Sequence, residues 1–118
     1  MTTLTYRPWG YYEIMGIDQE HVVPRYVVKR IVVNTGEKLS LQSHKKRKEF
    51  WVVVKGKGVV VVGDREFSVA PYMSTVIEPY IKHRIINTGK DELVIVETQV
   101  GVCKEDDIFR YEDIYGRC

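Results

Sequence analysis

The segment GEKLSLQSHKKRKEFWVVVKG, residues 36–56, contains two runs of residues that favour β-strands, Leu39–His44 and Glu49–Val54. The four charged residues between them, KKRK, predict a turn. Such a turn would bring the carboxylate of Glu49, at the start of the second strand, back beside the imidazole of His44, at the end of the first.

The same segment carries three side chains with atoms that bind divalent metals. Gln42 and His44 lie two positions apart, so alternation places them on one strand face, together with Lys38 and Ser40. Glu49 opens the next strand. A buried glutamate without a partner costs several kcal/mol, and a bound metal removes that cost. The alternative is an ion pair between Glu49 and one of the cations Lys29, Lys38 and Arg84.

A fourth donor has to come from elsewhere in the chain, and the segment EPYIKHRIIN offers His83. The spacing from Gly36 to Gly56 followed by His83 and Asn87 resembles the two metal-binding motifs of the cupin superfamily. Five further stretches make the chain similar to type II mannose-6-phosphate isomerase, a family usually met as the C-terminal half of a bifunctional enzyme with mannose-1-phosphate guanylyltransferase. The stretches are RPWGYYE at 7–13, KLSLQSH at 38–44, EFWVVVKG at 49–56, KHRIIN at 82–87 and DDIFRYEDIYGR at 106–117.

The resemblance implies an all-β fold, a cupin jelly-roll barrel, also called a double-stranded β-helix. It implies one divalent ion held by Gln42, His44, Glu49 and His83. Two imidazoles, one carboxylate and one amide oxygen suit zinc first, with manganese, iron, cobalt or nickel as alternatives. The implied reaction interconverts mannose 6-phosphate and fructose 6-phosphate through a cis-enediol. The sugar phosphate is the expected partner, with no nucleic acid and no membrane.

Isomerisation also needs a proton carrier and cations for the phosphate. We predict Glu97 as the proton carrier, ahead of Lys38, with Gln99 and Glu78 also considered as candidates inside the barrel. The alternative for Glu97 is a structural hydrogen bond next to the metal ligands. Arg84, Arg47 and Lys38 are predicted to bind substrate, and Arg84 is also a catalytic candidate. Alternation, however, puts Arg84 on the face opposite His83 unless a bulge intervenes.

Three departures from the family pattern lie near the predicted site. Tyr80 stands where glycine is usual, Lys45-Lys46 replace histidines, and Phe50 follows Glu49 where histidine is common. These positions distinguish the isomerase from the alternative function, a non-catalytic metal-containing cupin that acts as a sugar-binding or regulatory module. A metal-dependent oxygenase fits less well, because such sites commonly use more histidines.

Elsewhere the chain reads as short strands separated by turns, which favours a sandwich or barrel. Residues 52–54 and 59–62 are apolar on both faces, which predicts a covered outer wall. We expect a homodimer to cover it, and the alternative is a terminal segment of the same chain. Residues 106–117 are predicted to form a short helical or irregular tail, with Glu105, Asp106 and Asp107 as N-terminal caps.

Composition limits the remaining function classes. At 118 residues we expect one domain, 1–118, a stand-alone cupin without the Gly-rich phosphate loop of a nucleotidyltransferase. Eighteen basic and 16 acidic residues are too balanced to indicate a nucleic-acid surface. No apolar run has the length of a membrane span and no signal peptide is evident, so a cytoplasmic location is expected. Cys103 and Cys118 do not form a disulfide framework.

Overall fold

The structure, a computed structural model, describes residues 3–117 as eleven β-strands without a helix. Alternating apolar residues drive this arrangement, because each strand buries one face and exposes the other. The strands are β1 Thr3–Arg7, β2 Gly10–Ile17, β3 Tyr26–Val33, β4 Leu41–Ser43, β5 Arg47–Lys55, β6 Gly58–Val62, β7 Arg65–Val69, β8 Ser74–Ile77, β9 His83–Asn87, β10 Leu93–Gly101 and β11 Phe109–Glu112.

The strands form two antiparallel sheets. The larger sheet has the order β1-β2-β3-β10-β5-β8, and the smaller has the order β11-β4-β9-β6-β7. Neighbours such as β3 and β10 are far apart in sequence, so the sheets are built mainly by long-range pairing. The predicted all-β jelly-roll barrel is confirmed.

The core lies between the two sheets. Trp51 and Ile95 enter it from the larger sheet, and Val60 and Ile85 enter it from the smaller one, all 2% exposed or less. Buried apolar surface of this kind contributes about 25 cal/mol per Å² to folding.

Side chains on strand β5 alternate between the interior and the outer face of the sheet. Arg47, Glu49, Trp51 and Val53 are buried, while the positions between them are more exposed. Glu49 shares the inner face of β5 with Trp51 and Val53. Glu49 is therefore carried into the interior by the same pattern that buries Trp51.

The predicted strands agree closely with the structure, and three differences concern the site. Strand β1 was not predicted. The turn expected over residues 45–48 is confined to Lys45 and Lys46, because Arg47 already belongs to β5. Of the two forms predicted for the tail, helical or irregular, the described residues contain no helix: residues 109–112 form the short strand β11, which pairs with β4, and the rest is irregular.

The outer face of β5 and β8 remains open in the described part of the chain. Val52, Val54 and Val76 are 43%, 52% and 48% exposed. The C-terminal segment pairs with β4 in the other sheet, and β1 pairs only with β2, so neither terminal segment covers this wall as the alternative prediction required.

Two further sequence expectations concern cysteines and membranes. Cys103 is buried with a free thiol, and Cys118 lies outside the described residues. Residues 3–117 contain no helix with the length and hydropathy that a membrane span requires.

Candidate metal centre and cavity

Three predicted ligands converge inside the barrel. His44 follows β4, Glu49 lies on β5 and His83 begins β9, so the two sheets both contribute. His44 Nε2 lies 3.3 Å from Glu49 Oε2, and His83 Nε2 lies 3.4 Å from Glu49 Oε1. One ligand atom from each residue lies within 4.8 Å of the others, and all three residues are buried.

Backbone carbonyls orient both imidazoles. His44 Nδ1 donates to the carbonyl oxygen of Asp107 at 2.6 Å, and His83 Nδ1 donates to that of Ile81 at 2.9 Å. A carbonyl only accepts, so each ring carries its proton on Nδ1 and turns the lone pair of Nε2 toward Glu49. Burial lowers the pKa of His44 to about 4, so its ring is neutral at pH 7.

Arg47 balances the charge of Glu49. Its Nε donates to Glu49 Oε2 at 2.9 Å, and its terminal nitrogens reach His44 Nε2 at 3.3 Å and the carbonyl of Lys104 at 3.1 Å. Burial opposes ionisation of Glu49, but its carboxyl pKa still lies below its usual range, and the Arg47 guanidinium is the permanent cation that favours the carboxylate. Glu49 is therefore a carboxylate at neutral pH.

Two buried atoms of this cluster have no hydrogen-bond partner among the described residues, Glu49 Oε1 and His83 Nε2. Buried polar atoms are rarely left unpaired in folded proteins. The two atoms face each other at 3.4 Å, and a cation bound between them would satisfy both. The residues present therefore fit a divalent metal.

Gln42 lies beside these ligands. It sits opposite His83 in the pairing of β4 with β9, and directly opposite residues in a ladder point to the same face. Its Oε1 accepts from the Ser40 hydroxyl at 3.3 Å. Gln42, His44 and Glu49 line one cavity, so the amide oxygen is placed as a candidate fourth ligand.

Glu97 lines the same cavity from β10 and is 5% exposed. Its Oε2 accepts from Trp51 Nε1 at 2.9 Å and its Oε1 accepts from Gln99 Nε2 at 2.7 Å. Burial, reinforced by the negative charge of Glu49, raises the pKa of Glu97 to about 7. Both protonation states of this carboxyl group are therefore available near neutral pH.

Two predicted residues lie away from the cavity. Arg84 donates to the carbonyl of Leu39 at 2.8 Å and to Glu112 at 3.1 Å, so it joins β9 to the C-terminal strand, as the alternation of β9 indicates. Lys38 forms an isolated bridge with Ile86 and does not line the cavity. The structure brings Arg47 and Glu97 to the ligands and leaves Arg84 and Lys38 outside.

The departures from the family pattern also lie outside the cavity lining. Tyr80 keeps a left-handed backbone, with φ of 71°, donates its amide to the His44 carbonyl, and leaves its side chain 68% exposed. Lys45 and Lys46 are exposed, and Phe50 is on the outer face of β5. Among the described residues, these substitutions change the exterior and not the cavity wall.

Sequence reasoning missed several cavity residues, most of them on the edge strands and the C-terminal segment. Lys29 pairs with Glu105 at 2.7 Å, and Arg110 and Arg117 come from residues 109–117. The signal for Arg110 was its place in DDIFRYEDIYGR, but its direction depends on the pairing of β11 with β4.

A jelly-roll barrel with two histidines and a glutamate converging on its interior defines a cupin with a candidate metal centre. A cupin-2 domain protein from Rhodospirillum rubrum, Rru_A2000, has the same fold, with a TM-score of 0.74 at 17% identity over 90% of this chain and 78% of that one.

The chain belongs to the family described as "Mannose-6-phosphate isomerase C-terminal", which matches residues 1–113. It is 44% identical over 113 residues to the xanthan biosynthesis protein XanB of Xanthomonas campestris pv. campestris strain B100, covering 95% of this chain and 23% of XanB. It is 39% identical over 114 residues to a mannose-1-phosphate guanylyltransferase of Klebsiella pneumoniae, covering 96% of this chain. The chain spans 23% of the length of each of these relatives.

Proposed function

We propose that this chain is a metal-dependent aldose–ketose isomerase that interconverts mannose 6-phosphate and fructose 6-phosphate through a cis-enediol. The observation that carries the proposal is the cluster of His44, Glu49 and His83, with two unpaired buried lone-pair atoms. His44 and Glu49 of this cluster line the cavity that Glu97 also lines. Membership of the mannose-6-phosphate isomerase C-terminal family supports the choice of reaction.

The ligands would be His44, Glu49 and His83, with Gln42 as the fourth donor and zinc as the preferred ion. When bound, the ion supplies Lewis-acid polarisation of the sugar carbonyl. The chain's own contribution is to hold the ligands in the right protonation state. Asp107 and Ile81 fix the imidazole tautomers, while Arg47 fixes the orientation of Glu49.

Glu97 is the proposed proton carrier. As a carboxylate it accepts the C2 proton of the open-chain aldose; the electron pair of that C–H bond forms the C1–C2 double bond, and the π pair of the C1–O1 carbonyl moves onto O1. The hydroxyl proton on O2 then passes to O1, the electron pair left on O2 forms the C2 carbonyl, and the π pair of the C1–C2 bond takes the proton back from Glu97 at C1, which yields the ketose. A pKa of about 7 suits both steps near neutral pH.

A non-catalytic sugar-binding or regulatory cupin is the competing proposal. Its argument from sequence was that Tyr80, Lys45-Lys46 and Phe50 alter the site. Their position outside the cavity lining favours the enzyme. A single domain, a homodimer and a cytoplasmic location complete the proposal.

The test is a coupled assay for conversion of mannose 6-phosphate to fructose 6-phosphate, on metal-stripped protein with and without added zinc. We expect turnover only with zinc, and a turnover rate at least about a hundredfold lower in His44→Ala. The substitution removes a metal ligand itself, which costs more than removing a group that hydrogen-bonds to a ligand. His21→Ala is the matched control. His21 pairs with Asp18 in an exposed loop and does not line the cavity.

Zinc-dependent turnover that His44→Ala abolishes and His21→Ala retains supports the isomerase. Tight zinc binding without turnover of mannose 6-phosphate contradicts it and leaves the binding module in its place.

A further inference from the structure

Among residues 3–117, five cationic side chains line the cavity, and three of them are paired with carboxylates. The pairs join Lys29 to Glu105 at 2.7 Å, Arg47 to Glu49 at 2.9 Å and Arg117 to Asp113 at 2.7 Å. The two cations without a carboxylate partner in residues 3–117 are Arg7 and Arg110.

Arg110 is the more enclosed of these two cations. Arg7 is exposed and donates to the carbonyl of Tyr6, whereas Arg110 is partly buried. Arg110 Nε is buried without a hydrogen-bond partner among the described residues. A buried charged donor without a partner costs free energy, so its retention in a cavity wall points to a ligand that is absent from the free protein.

Strand pairing gives the direction of Arg110. Arg110 lies opposite Gln42 in the pairing of β11 with β4, and Gln42 lies opposite His83 in the pairing of β4 with β9. The three side chains therefore share the inner face on three neighbouring strands. Two strand spacings separate the backbones of Arg110 and His83, roughly 10 Å. That separation is on the scale of an extended six-carbon sugar phosphate with its carbonyl end at the ligands.

We propose that Arg110 forms a phosphate subsite of the cavity, and that the C-terminal strand, not Arg84 or Arg47, holds the phosphate of the substrate. The proposal rests on the proposed function for the identity of the sugar, but the subsite itself requires only an oxyanion. A guanidinium presents its N–H groups as a planar fork that matches two phosphate oxygens. Arg7, on the other sheet, adds a second unpaired positive charge to the cavity.

Isothermal titration calorimetry with inorganic phosphate tests the subsite on the full chain, both zinc-loaded and metal-stripped, because phosphate that binds without zinc is not bound to the ion. We expect Arg110→Gln to weaken phosphate binding by about tenfold to a hundredfold in both forms. Arg65→Gln is the matched control, since it removes the same charge from an exposed position in β7. Arg110→Lys keeps the charge without the fork, and we expect an intermediate affinity.

An Arg110→Gln variant that binds phosphate as tightly as the wild type overturns the subsite, as does a wild type that binds no phosphate. Unchanged zinc binding in Arg110→Gln shows that the barrel has folded. If that variant does not fold, the phosphate affinity of Arg110→Lys tests the subsite instead. Arg110-dependent phosphate binding without isomerase turnover upholds the subsite and contradicts the proposed reaction. Turnover with an unchanged KM for mannose 6-phosphate in Arg110→Gln upholds the proposed reaction and contradicts the phosphate subsite.

Discussion

The carboxyl group of Glu97 accepts hydrogen bonds on both oxygens, from Trp51 and Gln99, although it is almost fully buried. These donors favour the carboxylate, while burial and the neighbouring Glu49 favour the protonated form and prevail. The result is a carboxyl group with a pKa of about 7 in the wall of the cavity.

This balance predicts a pH-dependent stability in metal-stripped protein. The pKa of Glu97 is about 7 in the fold against an ordinary value of 4.5, so the protonated group stabilises the fold below pH 4.5. That contribution disappears as the pH rises through about 7. We expect the free energy of unfolding of the wild type to fall relative to that of Glu97→Gln as the pH rises over this interval, because the glutamine stays neutral. Urea unfolding at a series of pH values measures it.

Taking the difference between the two proteins removes the opposite trend of His44, whose lowered pKa of about 4 makes the fold lose stability as the pH falls below 6.5. Glu66→Gln, in the exposed part of β7, is the control and is expected to show no such pH dependence relative to the wild type. A constant difference between wild type and Glu97→Gln from pH 4.5 to 7 would contradict the raised pKa.

At the scale of elements, the C-terminal segment completes the metal centre. The Asp107 carboxylate accepts from the amides of Lys45 and Lys46, both at 3.0 Å, and its carbonyl accepts from His44 Nδ1. Arg84 on β9 binds Glu112 at the end of β11, and β4 lies between these two strands in the sheet. The loop that carries His44 therefore has its shape fixed by residues more than sixty positions away in the sequence.

We predict that Asp107→Asn weakens zinc binding by about tenfold, because the amide group can accept from only one of the two backbone donors and the His44 loop loosens. Competition with a chromogenic zinc chelator measures the change. Asp106→Asn is the control, since Asp106 is exposed and makes no hydrogen bond to the His44 loop in the described chain. Equal zinc affinities for the two variants would show that the carboxylate does not position the ligand.

His44 and Glu49 could be predicted to lie close together because they flank one short turn, and the resemblance to the cupin motifs added His83 and made the set a ligand cluster. The sequence did not reveal the phosphate-facing wall. Arg110 points inward only because β11 pairs with β4, and the mixed composition of residues 106–117 suits a helical turn as well as a strand. Lys38 was predicted inside by extending the alternation of Leu39–His44, but regular β4 begins at Leu41.

At the scale of the whole molecule, the larger sheet carries an apolar outer face. Val52 lies opposite Val96 on β10, and Phe50 lies opposite Val76 on β8, so the apolar side chains form a continuous patch. Exposed apolar surface of this kind marks an interface in many proteins. This face supports the proposed homodimer, with the two copies packed sheet to sheet.

We predict that Val52→Glu gives a monomer of 13.8 kDa where the wild type has twice that mass at micromolar concentration. An unpaired carboxylate in the interface raises the dissociation constant by at least about tenfold. Light scattering coupled to size-exclusion chromatography reads the mass directly. Val22→Glu makes the same change at a fully exposed valine in a loop and is expected to remain dimeric. A monomeric wild type would contradict the dimer.

The ligand atoms of the metal centre come from both sheets, so an ion bound there joins the two halves of the barrel much as a covalent cross-link would. An ion that binds the fold and not the unfolded chain adds about 2.7 kcal/mol of stability at a hundredfold excess over its dissociation constant. That is a large fraction of the stability of a small domain. The availability of the ion in the surroundings would then govern how long each copy survives proteolysis, and a shortage would remove the protein as well as its activity.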